Sequence, residues 1–146
     1  MYRDVHAGHL KLLGKQHGDT LGAASNYAKS LRALKSYKGA KFLLRRTIPV
    51  ARRALGEGDV NTLRMRWNYA MALYEDSAAT LNDFREAVTT LEETERTARR
   101  VLGGAHPQVV QVGLCLRKAR AALAAREGDG VSSVCEAVAA ANLRTA

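Results

Sequence analysis

Apolar residues return along this chain at the interval of a helix. Ala24, Tyr27, Ala28, Leu31 and Leu34 recur at the i, i+3, i+4, i+7 interval, which puts them on one helical face. Tyr37, Ala40, Leu43, Leu44, Ile48 and Ala51 repeat the pattern. Leu63, Ala70 and Leu73 begin it again, and Phe84, Ala87, Val88, Leu91 and Ala98 complete a fourth face. Two pairs of helices are therefore expected, each pair joined by a loop. Small residues at Ala28, Ala40, Ala70 and Ala87 would let paired helices approach closely. The expected helix ends carry Leu-Gly, so Gly14, Gly56 and Gly103 read as left-handed caps. Thr20 and Thr62 sit where the following helices should start, with Asp19 or Asn61 as equal candidates for the N-cap. Pro49 falls inside the second helix and is expected to kink it, at a cost of up to about 3 kcal/mol.

The helix pairs are copies of one another. Leu13–Leu31 recurs as Leu55–Leu73 at an offset of 42, with eight identities in nineteen positions, among them Asn26/Asn68, Tyr27/Tyr69, Ala28/Ala70 and Leu31/Leu73. Ser36–Gly56 then aligns with Asp83–Gly103 once five extra residues are allowed between Glu75 and Asp83, pairing Tyr37 with Phe84, Leu44 with Leu91, and ARRALG with ARRVLG. A third copy of the boundary, LGGAHPQVV, begins at Leu102, offset by 47. Periods of this size belong to repeat architectures.

Composition agrees with an all-α chain. Of 146 residues 47% are hydrophobic, mostly Ala and Leu, with only 2 prolines, which is a helical profile and excludes disorder and an all-β sandwich. No apolar run is long enough to span a bilayer and the N-terminus lacks the core of a secretory signal, so a cytoplasmic location is expected. Cys115 and Cys135 form no CxxC motif, which fits a reducing compartment.

The net charge of +9 is unevenly spread. Between Asp19 and Glu57 there is no acid, while Lys29, Arg32, Lys35, Lys38, Lys41, Arg45, Arg46, Arg52 and Arg53 supply nine positive charges. From Glu75 to Glu95 seven acids face the single Arg85. A basic block followed by an acidic one implies either an acidic partner or attraction between the second helices of successive pairs, for example Arg45 or Arg46 with Glu92 or Glu93.

The NYAxxL core, the Leu-Gly boundaries and the 42-residue period resemble the tetratricopeptide repeats of kinesin light chains, over roughly Leu10–Arg126. The chain departs from that pattern in places. The His-Pro of the family's loop occurs only at His106–Pro107, against His17–Gly18 and Asp59–Val60 in the earlier loops. The third unit has Cys115 in place of the asparagine and Arg117 in place of the small alanine.

The resemblance implies a right-handed α-solenoid of antiparallel helix pairs in a single domain. Residues 1–14 would be the end of a preceding helix, 15–56 repeat 1, 57–103 repeat 2 with its five-residue insertion, and 104–146 a degenerate repeat 3 with a capping helix after the GDG at 128–130. VHAGHLKLLG resembles the close of an earlier second helix, so a section of a longer array is expected. The first helix of each pair would line a concave groove, giving it Ser25, Asn26, Lys29 and Arg32 from unit one and Arg64, Trp67, Asn68, Met71 and Tyr74 from unit two. Asparagine donates and accepts at once and suits a peptide backbone. Trp67 and Tyr74 offer flat anchors, and Lys29 and Arg32 add positive charge. An acidic peptide with an aromatic residue is the expected partner, by analogy with kinesin light chain cargo.

No catalytic or cofactor signature accompanies these features: GxGxxG, GxxxxGK[ST], HExxH and GxSxG are all missing, and neither an enzyme nor a cofactor is expected. His6 and His9 share a helical face without a third ligand nearby, which argues against a metal. His17 and His106 occupy equivalent loops and read as packing residues, and Cys115 reads as a small buried hydrophobe. Two other functions compete with peptide binding. One is RNA binding through the basic face of repeat 1, although repeat codes for RNA need matching polar residues in each unit. Here Ser25 matches Trp67, Lys29 matches Met71 and Arg32 matches Tyr74. The other is a purely structural segment of a longer scaffold. Sustained heptads of a coiled coil are not evident.

Overall fold

Six α-helices account for most of the described residues: α1 (Tyr2–Leu13), α2 (Gly18–Ala33), α3 (Tyr37–Ala54), α4 (Val60–Glu75), α5 (Leu81–Leu102) and α6 (Pro107–Thr145). The computed structural model describes residues 1–145, with no strand among them, and Ala146, the last residue of the expected third unit, lies outside the described residues. Connections of three to five residues force each helix to turn back and pack on the one before it.

Three of these connections are built alike. Gly14, Gly56 and Gly103 have φ of 85°, 95° and 87°, the region that favours glycine. Each is followed three residues later by a side chain that closes the turn and starts the next helix. His17 Nδ1 accepts from the Asp19 amide at 3.2 Å, Asp59 Oδ1 from the Asn61 amide at 2.8 Å, and His106 Nδ1 from the Gln108 amide at 3.2 Å. The N-caps of α2 and α4 are thus His17 and Asp59, not Thr20, Asp19, Thr62 or Asn61. Thr20 and Thr62 lie one turn inside and are fully buried. His17 and His106 cap helices where packing alone was expected.

The five inserted residues divide into two parts. Two lengthen the α4–α5 connection to Asp76–Thr80, and three extend α5 backward through Leu81, Asn82 and Asp83. Thr80 and Asp83 form a reciprocal capping box there. These bonds hold the Asp83 carboxyl below the usual aspartate range. α3 continues through Pro49 as helix, with the ring on the exposed side where its missing amide is least costly.

α4 is the centre of the fold, packing against α2, α3, α5 and α6. Nine of its sixteen residues are buried. Most of the expected helix faces form the core: Ala24, Ala28, Leu44, Ala51, Leu63, Ala70, Leu73, Ala87, Leu91 and Ala98 are all fully enclosed, whereas Leu34, expected on the first face, lies just past the end of α2 and is exposed. The expected pairs of Arg45 or Arg46 with Glu92 or Glu93 are absent. The backbones of α3 and α5 are held apart by α4, and the attraction between the two helices runs from Arg45 and Lys41 to Asp83 and from Arg45 to Glu86. Arg45 instead donates to Tyr69 on α4 at 2.9 Å, and Tyr69 donates onward to Glu86 on α5. Glu92 and Glu93 pair with Arg120 and Arg66.

The C-terminal region departs furthest from expectation. In place of a first helix followed by a separate degenerate or capping helix, α6 runs unbroken for 39 residues through Gly128, Asp129 and Gly130. Nothing presses on either glycine, and residues 124–144 are exposed throughout. No helix of the described residues is long and apolar enough to cross a membrane.

Candidate binding surface

The nine residues expected to share a groove fall into three groups. Asn26, Lys29 and Arg64 are exposed, and Arg32, Trp67, Met71 and Tyr74 are half-buried. Ser25 and Asn68 are buried, at 1% and 5% exposure, and are not open to a ligand. Spacing treats each first helix as half of a hairpin, with one face covered. α2 in fact packs against α1, α3 and α4, and α4 against four helices, so the covered arc is wider.

Ser25 and Trp67 are equivalent positions in the repeated sequence. α4 lies along one side of α2, where a single guanidinium nitrogen of Arg32, Nη1, reaches both carboxylate oxygens of Glu75 at 2.9 and 3.1 Å. α6 covers the corresponding side of α4, where the Trp67 indole N–H donates to Cys115 Sγ at 3.3 Å. Tyr74 donates to Met71 Sδ at 2.9 Å. Burial, then the Cys115 thiol and the Glu75 carboxylate, push the Tyr74 phenol above its ordinary range. Trp67, Met71 and Tyr74 thus form a half-buried apolar seam between α4 and α6.

The open part of the surface lies along α2 and α1. Asn26 separates two shallow hollows there. One, of about 270 Å³, is bounded by Val5 and His9 of α1, Asp19 and Gly22 of α2, and Asn61 of α4. The other, of about 260 Å³, is bounded by Tyr2, Lys29, Ser30 and Ala33. His9 Nδ1 bonds the Asp19 carbonyl oxygen at 3.2 Å and ties α1 to the start of α2. His6 packs on Tyr27, and burial, then the neighbouring His9, lower its pKa below the ordinary histidine value. His6 and His9 are thus engaged separately. No group of three metal-ligating side chains occurs among the described residues.

A third hollow, of about 400 Å³, was not anticipated. It opens between α1 and α3, lined by His6, Leu10, Leu43 and Val50, with Phe42, Lys15 and Arg46 at its rim. Phe42 is 64% exposed, with the Arg46 guanidinium 5.4 Å from its ring centre. Phe42 lies off the periodic apolar face of α3, which was the available signal.

Three of the nine cations of the basic block are neutralised within the fold. Arg32 pairs with Glu75, Lys41 with Asp76 and Arg52 with Glu57. Lys29, Lys35, Lys38, Arg46 and Arg53 have no ion-pair partner among the described residues, and Arg45 bonds Tyr69. Lys29 leaves positive charge at the mouth of an α2 hollow. Comparison of the chain with protein-family models and with curated proteins gives no match.

Proposed function

We propose that this chain is an α-solenoid of tetratricopeptide type, similar to the repeats of kinesin light chains, and serves as a non-catalytic protein-interaction module. The ligand is a peptide segment lying along α2, with Asn26 bonding its backbone and Lys29 meeting an acidic side chain. Arg64 extends the positive rim, and the Trp67, Met71 and Tyr74 seam borders the site. The observation that carries this reading is the position of Asn26. It is exposed between two hollows and can bond a backbone on either side, while its counterpart Asn68 is enclosed. The repeated Gly-x-x-His/Asp turns and the passage of α4 between α3 and α5 support the repeat architecture.

Titration with acidic peptides containing an aromatic residue, and separately with single-stranded RNA, tests the reading, with Trp67 emission and anisotropy of a labelled ligand as readouts. The expected result is saturable peptide binding that N26A and K29E weaken, K29E more for acidic than for neutral peptides. Equal losses for both kinds of peptide would refute the charge argument. Binding of RNA alone, collapsing as salt rises, would replace the peptide by nucleic acid.

A further inference from the structure

Besides the hollow at Phe42, two apolar surfaces stay open on α6. Val110 and Leu114, in its N-terminal half, are 46% and 39% exposed. The body of the protein ends near Arg126 and Glu127, where Arg126 stacks 4.9 Å over the Phe84 ring and Glu127 pairs with Arg85. Beyond that point Val131, Val134 and Val138 are 64%, 62% and 54% exposed.

The projecting segment has the register of a helix meant to be covered. Phe84, Ala87, Val88, Leu91 and Thr94 are buried in α5. Shifted by the 47 residues that relate Gly56 to Gly103, they become Val131, Val134, Cys135, Val138 and Ala141. Leu63, buried against Ala98 of α5, becomes Val110 by the same shift. The chain therefore encodes both sides of a third helix contact. Because α6 stays helical through Gly128–Gly130, the two sides lie end to end on one rod, with Leu114 and Val138 about 36 Å apart. They cannot meet within one molecule in this conformation.

They can meet between two. From Val110 to Val138 exposed positions recur in alternating steps of four and three, the spacing of a coiled-coil seam. Core-facing Val109, Val112, Leu116 and Ala119 are interleaved with them, which hides the seam in the sequence. The seam reads nearly the same in both directions. Two antiparallel copies set Val110 against Val138, Leu114 against Cys135, Arg117 against Val131 and Ala121 against Gly128, with Ala124 meeting its own copy. Large residues lie at the ends and small ones at the crossing, where two helices need close approach. Charge also matches: Arg117 and Lys118 in one half, and Asp129 and Glu136 in the other, form no ion pair within the described residues.

We propose that a second copy of this chain covers these surfaces, with two α6 helices pairing antiparallel about a two-fold axis near Ala124. Each copy lends its residues 128–145 to the other's Val110–Leu114 face, an isologous contact.

Sedimentation equilibrium on the full chain tests the proposal, and a dimer of the 15.9 kDa protein is expected. V131D with V138D should raise its dissociation constant about ten-thousandfold, about tenfold for each of the four valines that the two copies no longer bury. Helicity by circular dichroism should hold, because neither side chain is buried in the single chain. In a C135S background, A124C should form a disulfide-linked dimer on oxidation, and adding V131D with V138D should abolish it. G130A, off the seam, favours continuous helix and should keep or tighten the dimer. A monomer at every concentration, a dimer indifferent to V131D with V138D, failure to cross-link through residue 124, or a dimer weakened by G130A would each overturn the proposal.

Discussion

Arg66 lies in the middle of α4 with its side chain only 7% exposed, and its guanidinium reaches Glu93 of α5 at 2.6 Å and Glu57 of the α3–α4 connection at 3.3 Å. Both carboxylates are in contact with water, at 55% and 44% side-chain exposure. The cation is thus buried and its partners are not, and removing one or the other has unequal effects. E57Q with E93Q leaves a desolvated guanidinium without counter-charge. Stranding a buried charge costs about 3–5 kcal/mol, and the low end applies because each glutamine still offers an accepting oxygen. R66M takes the buried charge away and leaves two carboxylates that water solvates, so the loss should be about 0–1 kcal/mol. For a chain of this length 1 kcal/mol moves the melting temperature by about 2–4 °C. Thermal unfolding followed by circular dichroism should therefore place E57Q with E93Q about 10 °C below the parent and R66M within about 4 °C of it. An R66M variant that loses as much as the double glutamine variant would refute the asymmetry.

D59A removes the cap of α4, whose core position makes the loss global. About 1 kcal/mol is expected from chemical denaturation, and D59N should recover most of it. Gly103, with φ 87° and ψ 152°, lies in a region open essentially to glycine alone, so G103A should cost about 1–3 kcal/mol by the same measurement. The Asp83 carboxyl titrates below its ordinary range because of Thr80, so its stabilising contribution is complete above the ordinary aspartate value. It is lost as pH falls through the lowered one. Stability measured against pH should fall in that acid window, and D83N should flatten the fall. Y69F breaks the line from Arg45 to Glu86 and should be partly rescued by R45M, which removes the cation that loses its acceptor; a double-mutant cycle showing no coupling would contradict the relay.

Periodicity located four helical faces and the Leu-Gly boundaries, because a helix hides one stripe and ends where only glycine fits. Relations beyond the hairpin were not legible. Ser25 and Asn68 share the spacing of exposed residues, yet a third neighbour covers each, and no local pattern encodes that neighbour. The pairing expected between Arg45 or Arg46 and Glu92 or Glu93 failed for a similar reason: charge blocks mark which helices are complementary, but α4 stands between these two. Thr20 and Thr62 have the chemistry of caps, and a His or Asp three residues earlier does the capping. The GDG at 128–130 is turn-forming by composition, yet α6 passes through it with open space around both glycines. Of the candidate surface, Asn26, Lys29 and Arg64 were legible as exposed residues. The hollow beside Phe42 was not, because it arises between helices that are not consecutive.

Burial is distributed along this chain as a gradient. α1 contributes no buried residue and the last stretch of α6 none, whereas α4 encloses nine. Helices joined by short connections and packed on near neighbours form their contacts without closing long loops, so the chain is of the kind that folds quickly and opens in sections. Amide exchange should grade from rapid at both ends to slow in α4, with α2, α3 and α5 between. The middle of such a chain holds its shape while either end loosens, and a surface along α2 inherits rigidity from α4 on one side and compliance from α1 on the other.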